Sequence, residues 1–267
     1  MQTNAAKKSP LEGLLVIDKS NASHQKPVVL TKGPPGSGKT HFALTAPPPI
    51  VLANLDVNQQ TVTTAIDKGL DVKSVHLNTW SEWADQFVPA VSNRELECET
   101  VVVDTGSMLA KMMWREIQGH RDKLRIQDFG TGLDRMVNTF TQLCSAAAHY
   151  EGKRSYNIIV NYHIGDVTSD SGSLVRTTVQ SMGAFKDIAE SLFDYVFLAA
   201  NEIATKIEGG KATKSKRFFF HTIPPSQYHT TKAPGYFPAE IGNTWKDLTD
   251  ALAQGESGTQ DNKKEEN

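Results

Sequence analysis

Cysteine is nearly missing from this 267-residue chain: Cys98 and Cys144 stand far apart and in no Cys-x-x-Cys pair. That excludes a disulfide framework and a zinc ribbon, and it fits a reducing compartment. No run of about 18 apolar residues occurs, and the first residues carry no apolar stretch of signal-peptide length. The expectation is therefore a cytoplasmic protein with no membrane partner. Charge of one sign is lacking too, with 28 Lys and Arg against 30 Asp and Glu and a net charge of −2. Any contact with nucleic acid must come from local basic patches and not from a global field. Aromatic residues make up only 8%, so stacking platforms are scarce, and no internal repeat is visible. What remains is a 39% apolar fraction, enough for an ordinary globular core.

Against that plain background, one stretch carries chemistry. Gly33-Pro34-Pro35-Gly36-Ser37-Gly38-Lys39-Thr40 is a complete Gly-x-x-x-x-Gly-Lys-Thr phosphate loop. Its glycines let backbone N–H groups turn toward phosphate oxygens, Lys39 adds positive charge at the β- and γ-phosphates, and Thr40 offers a hydroxyl to Mg²⁺. His41 follows directly and completes the predicted nucleotide-binding stretch. The context agrees: Pro27-Val28-Val29-Leu30-Thr31 reads as a buried strand, and 41–46 reads as a helix that Pro47-Pro48-Pro49 stops. Strand, loop and helix N-terminus stand in the order that presents N–H groups to phosphate.

Further along, strands are expected at 50–56, 72–77, 100–104 and 156–160. Helices are expected near 61–68, at 107–118 and at 133–148, with an amphipathic stretch at 81–91. This alternation implies an α/β fold with a mostly parallel sheet, helices on both faces, and ligand loops at the carboxyl ends of strands. Residues 191–221 look strand-rich. The organisation reads as an N-terminal extension over 1–26, with 11–17 a short edge strand or partner-binding segment. One nucleotide-binding domain follows over 27–252, and a polar, disordered tail over 253–267.

Val101-Val102-Val103-Asp104 places a carboxylate at a strand's C-terminal end, suited to Mg²⁺ or a metal-bound water. A helix N-cap ahead of Ser107 is the competing reading, and the upstream phosphate loop favours the metal. Thr105 follows where many such motifs carry Glu, so the water-activating base must lie elsewhere. Asp56, ending the second strand, is the candidate.

The ordered set of the phosphate loop, Val101-Val102-Val103-Asp104-Thr105-Gly106-Ser107, Gln127-Asp128-Phe129-Gly130 opening the long helix, and Asn161-Tyr162-His163 resembles the phage-type RecA-like P-loop ATPases. That group includes recombination proteins that assist single-strand annealing. The resemblance spans roughly residues 27–250. It implies a RecA-like core using ATP and Mg²⁺, Asp56 as base, and His163 as the residue that senses the γ-phosphate; a simple surface histidine is the alternative. It also implies self-association into a ring or filament, single-stranded DNA as partner, and a single-strand-binding protein or annealing partner beside it. The host cytoplasm is the location if the chain is phage-encoded. Thr231-Lys232-Ala233-Pro234 resembles the lysine-arginine element that related ATPases insert into a neighbour's site. Pro234 stands in the arginine's place, leaving Lys232 as the trans-acting candidate and Lys214, Lys216 and Arg217 as alternatives that also read as a solvated strand edge.

Two loops are candidates for DNA: 119–125, with Arg121, Lys123 and Arg125, and the polar stretch 165–183, with Arg176. Both suit phosphate contact, which salt weakens. The competing function is a nucleotide-dependent switch, a loader or packaging partner, with no intrinsic DNA binding. A small-molecule kinase ranks last, because 165–183 lacks an arginine-rich lid.

Overall fold

The computed structural model of the chain describes residues 25–56, 60–169, 171–208 and 211–261. The expected segment at 11–17 lies outside them. Chain order runs β1 (Val28–Lys32), α1 (Lys39–Leu44), β2 (Ile50–Asn54), α2 (Gln60–Asp67) and β3 (Val72–His76). A π-helical stretch (Glu82–Phe87) then leads into α3 (Val88–Ser92), β4 (Thr100–Asp104), α4 (Gly106–Gln118), α5 (Ile126–Ser145) and β5 (Asn157–Tyr162). The second half holds β6 (Ile164–Thr168), β7 (Leu174–Val179), α6 (Phe185–Ile188), a 3₁₀ turn (Ala189–Leu192), β8 (Tyr195–Glu208), β9 (Lys211–His221), β10 (Glu240–Gly242) and α7 (Trp245–Asp261).

Eight strands form one sheet in the order β10-β9-β8-β1-β5-β4-β2-β3. From β8 to β3 every pairing is parallel, and β9 and β10 add an antiparallel edge. Because successive side chains alternate faces, each apolar strand feeds two cores. Leu30, Val101, Val103, Ile158 and Val160 pack under the π-helical stretch, α4 and α5 around Trp83 and Phe140. Val29, Val102 and Ile159 face the other side, with Phe42, Phe197, Phe220 and Trp245. The result is the α/β sandwich that the alternating pattern predicts. No described helix is long and apolar enough to cross a membrane.

Three expectations are corrected. The long helix begins at Ile126, in keeping with Gln127-Asp128-Phe129-Gly130 at its opening, and not at Leu133, where the apolar stripe starts, because Asp128 accepts the Arg125 N–H at 2.7 Å and caps an opening turn whose Ile126 is 94% exposed. The stretch 165–183 is a β-hairpin and not an open loop. Val167, Val175, Thr177, Thr178 and Val179 favour strand, and Gly172, at φ +81°, permits the turn. Helix α7 continues to Asp261, past the expected domain end at 252. Residues 262–267 lie outside the described residues.

Candidate nucleotide site

The sheet order puts β5 between β1, which leads into the phosphate loop, and β4, which ends in Asp104. One register row therefore runs Thr31, Asn161, Asp104, Asn54 across the carboxyl ends of four neighbouring strands. Above it lies a cleft of about 380 Å³, lined by Pro35, Gly36, Gly38, Lys39, Thr40, His41, Asp56, Thr61, Asp104, Thr105, His163 and Phe218. That volume falls within the range of small-ligand sites, roughly 300–1,000 Å³. The cleft gathers Asp56, Asp104 and His163, three residues more than 40 positions apart from one another along the chain, around the loop.

Gly36 and Gly38 sit at φ +73° and +92°, a backbone conformation that side chains rarely tolerate. A Cβ on Gly38 would also meet Asn243 Nδ2 at 2.1 Å. Lys39 is the first residue of α1, a helix of only six residues, so the loop's amides and the lysine must provide phosphate contact more than a long helix dipole. The Lys39 ammonium donates to the carbonyls of Gly33 and Pro34, both at 2.9 Å, folding back over the loop. Burial pulls its pKa down to about 8, with Asp104 and Asp56 opposing that shift.

Thr40 Oγ1 donates to Asp104 Oδ2 at 2.6 Å, so the two expected metal ligands touch. Thr105, not Asp104, is the N-cap of α4, accepting from the Met108 N–H at 3.3 Å. The helix-cap role is thus filled by a neighbour, and the Asp104 carboxylate faces the cleft. Burial raises the Asp104 pKa, with Thr40, Asn161 and Lys39 working against the shift. His163 is shifted the other way: burial, then Lys39, lowers its pKa and favours the neutral imidazole.

Do these residues fit ATP and Mg²⁺? A hydroxyl and one carboxylate are hard oxygen donors of the kind Mg²⁺ uses together with substrate phosphates. Among the described residues no group of three or more His, Cys, Asp or Glu could hold a metal. Buried polar atoms without a partner also lie here, Asn54 Nδ2, His163 Nδ1 and Asn243 Oδ1, and the Asn161 amide stands against Asp104. The donor set fits: Thr40 and Asp104 would hold the metal, and the loop amides and Lys39 would bind phosphate. Mg²⁺ held there would neutralise charge on the phosphates.

Fold and site together define a P-loop nucleoside triphosphatase. The chain belongs to the AAA domain family, whose model matches residues 25–231. No curated protein matches the chain. Members of such families bind ATP with Mg²⁺ and hydrolyse it.

The remaining expected residues lie elsewhere. Lys232 pairs through its backbone with Val196, and its ammonium donates to the Phe193 carbonyl at 2.5 Å, toward the amino end of β8 and away from the chain's own phosphate loop. Arg121 holds Asp128 at 2.8 Å and also bonds the Gln118 and Ile117 carbonyls. Arg176 is paired with Asp187. Lys123 and Arg125 are exposed and make no ion pair with a described residue. Sequence reasoning missed Asn54 and Asn161 as members of the site, and Phe218 and Asn243 beside the loop; Lys216, an alternative for the trans-acting cation, stands at the chain's own loop. Asn161 stood inside a quoted motif, two residues before His163 on the same strand face, which was the available signal.

Proposed function

We propose that the chain is an ATP-binding and hydrolysing RecA-like protein that acts on single-stranded DNA in phage-type recombination or strand annealing, assembling with copies of itself in the cytoplasm. In this reading Lys39 binds the β/γ-phosphates, Thr40 and Asp104 hold Mg²⁺, Asp56 orients or deprotonates the attacking water, and His163 senses the terminal phosphate. Lys232 reaches a neighbouring subunit's site after exchanging its Phe193 carbonyl for phosphate.

The observation that carries the proposal is the path out of the cleft. His163 directly precedes β6, and its carbonyl accepts the Gln180 N–H at 2.7 Å, so a residue lining the nucleotide cleft is built into the base of the β6–β7 hairpin. A change at the terminal phosphate would tilt that hairpin, a local switch with a distant readout. The internal pairing of Arg121 and Arg176 favours the second reading, a nucleotide-dependent protein switch without DNA binding.

Titrating labelled single-stranded DNA with ADP and with a non-hydrolysable ATP analogue decides between them, alongside ATP turnover with and without DNA. We expect DNA to raise turnover and the ATP analogue to tighten DNA binding. His163→Ala should keep nucleotide affinity and lose that coupling. A parent protein whose DNA affinity ignores the nucleotide overturns the recombination reading in favour of the switch.

A further inference from the structure

The β8–β9 ribbon rises beside the phosphate loop. Only the first residues of β8, through Leu198, pair with β1, whose last residue, Lys32, precedes Gly33. Beyond that point β8 and β9 pair only with each other as far as Glu208 and Lys211, apart from the short β10 contact on the outer edge. At about 3.3 Å per residue the ribbon projects some 30 Å past the edge on which the loop sits.

Its two faces differ. On one, Arg217 pairs with Glu202 at 3.0 Å and Glu240 at 3.3 Å and lies over the Phe219 ring. On the other, Lys216 donates to the Gly36 carbonyl at 3.3 Å, and its ammonium stands 5.0 Å from the centroid of Phe218. Phe218 is half-buried, lines the nucleotide cleft, and is the one Phe, Tyr or Trp among the cleft's described lining residues, beside the imidazoles of His41 and His163. Its edge lies 3.0 Å from where a Cβ on Gly38 would stand. Asn243, donating to the Gly38 carbonyl at 3.2 Å, holds that part of the loop against the ribbon.

A nucleoside triphosphate offers a flat aromatic base and a polyanion. A ring on a cleft wall and a cation at the loop mouth match those two parts. A phosphate oxygen is also a stronger acceptor for an ammonium than the neutral Gly36 carbonyl that Lys216 now holds. We infer that Lys216 and Phe218 are nucleotide-binding residues supplied in cis, Phe218 packing on the base and Lys216 exchanging the Gly36 carbonyl for the phosphate chain. The inference rests on the cleft being an ATP site.

Inorganic tripolyphosphate, which has charge but no base, separates the two roles. Affinities for ATP and for tripolyphosphate are measured by calorimetry with Mg²⁺ on the full chain and on Phe218→Ala, Phe218→Tyr, Lys216→Ala and Lys216→Arg, each checked by thermal melting. Phe218→Ala should weaken ATP about tenfold and leave tripolyphosphate unchanged, with Phe218→Tyr restoring ATP affinity. Lys216→Ala should weaken both ligands by a similar factor, about tenfold, and Lys216→Arg should restore them. If Phe218→Ala weakens both ligands equally, the ring only supports Gly38 and the base contact is overturned. Unchanged ATP affinity in either alanine variant overturns that residue's role while leaving the ATP site intact. A parent protein that binds neither ligand overturns the ATP site itself.

Discussion

At the phosphate-loop edge of the sheet, Asn54 and His163 each bury a polar atom without a partner, whereas at the α4–α5 connection and the β6–β7 hairpin the guanidinium groups of Arg121 and Arg176 already hold acids. An unsatisfied buried group costs about 1–3 kcal/mol, a cost that a ligand completing the bonding would relieve. An arginine already holding a carboxylate must give it up before it binds phosphate. The first region offers open polar atoms around a cleft; the second contains basic residues that also serve the fold. Basic character read from a string of letters does not distinguish these two uses.

The sharpest test of the contrast is Lys39→Ala. Removing the ammonium deletes charge-assisted bonds to phosphate, and ATP affinity should fall on the order of a hundredfold. Lys39 bonds only its own loop's groups, so the melting temperature should hold within a few degrees. Calorimetric titration and a melting curve read both numbers. Unchanged ATP binding would remove the distinction between the regions at its stronger end.

Asp104→Asn comes next. It preserves shape and still accepts from Thr40, but it removes a negative charge where the proposed Mg²⁺ would bind. Hydrolysis should fall about a hundredfold while ATP affinity changes far less. Steady-state turnover measured beside a binding isotherm separates the two, and normal turnover would reduce Asp104 to a structural partner of Thr40.

A pH titration sharpens the same region. Lys39, with its pKa near 8, is charged below that value and neutral above it. Bound phosphates favour the charged form, so the complex keeps a proton that the free protein loses. ATP affinity should therefore be level below about pH 8 and fall above it, approaching tenfold per pH unit. A Lys39→Arg protein, permanently charged, should show a flat profile over the same range. A flat profile in the parent would show that burial does not lower the lysine's pKa.

How much of this was legible in the sequence follows the same divide. The phosphate loop and Asp104 could be read because the chemistry is local: eight consecutive residues, and a valine run ending in a carboxylate. The central strands were legible for the same reason, since strands buried on both faces are continuous apolar runs. Asn161 and Asn54 became site residues only through strand order, which sets each beside β4. Phe218 and Asn243 reach the loop from about 180 and 200 positions away, through antiparallel pairing and the turn after β10, and no local pattern announces that. The hairpin over 164–179 was hidden by its composition, because Ser, Thr, Asp and Gly serve a solvated ribbon as well as a loop.

The smallest expected effect bears on the weaker region. Arg121 closes the α4–α5 connection by bonding Asp128, the residue that caps α5, while Lys123 is exposed and makes no ion pair with a described residue. If the chain binds single-stranded DNA there, Lys123→Ala should weaken binding uniformly across sequences and reduce the slope of log affinity against log salt by about one. Arg121→Ala should act differently, lowering the melting temperature through loss of the capping network, with a smaller change in salt slope. Titrations at several salt concentrations, paired with melting curves, separate a surface that binds phosphate from one that only folds. Should Arg121→Ala flatten the salt slope as much as Lys123→Ala and leave melting untouched, the guanidinium exchanges Asp128 for DNA readily. The contrast between the two regions would then be one of degree, because both would keep groups poised for phosphate.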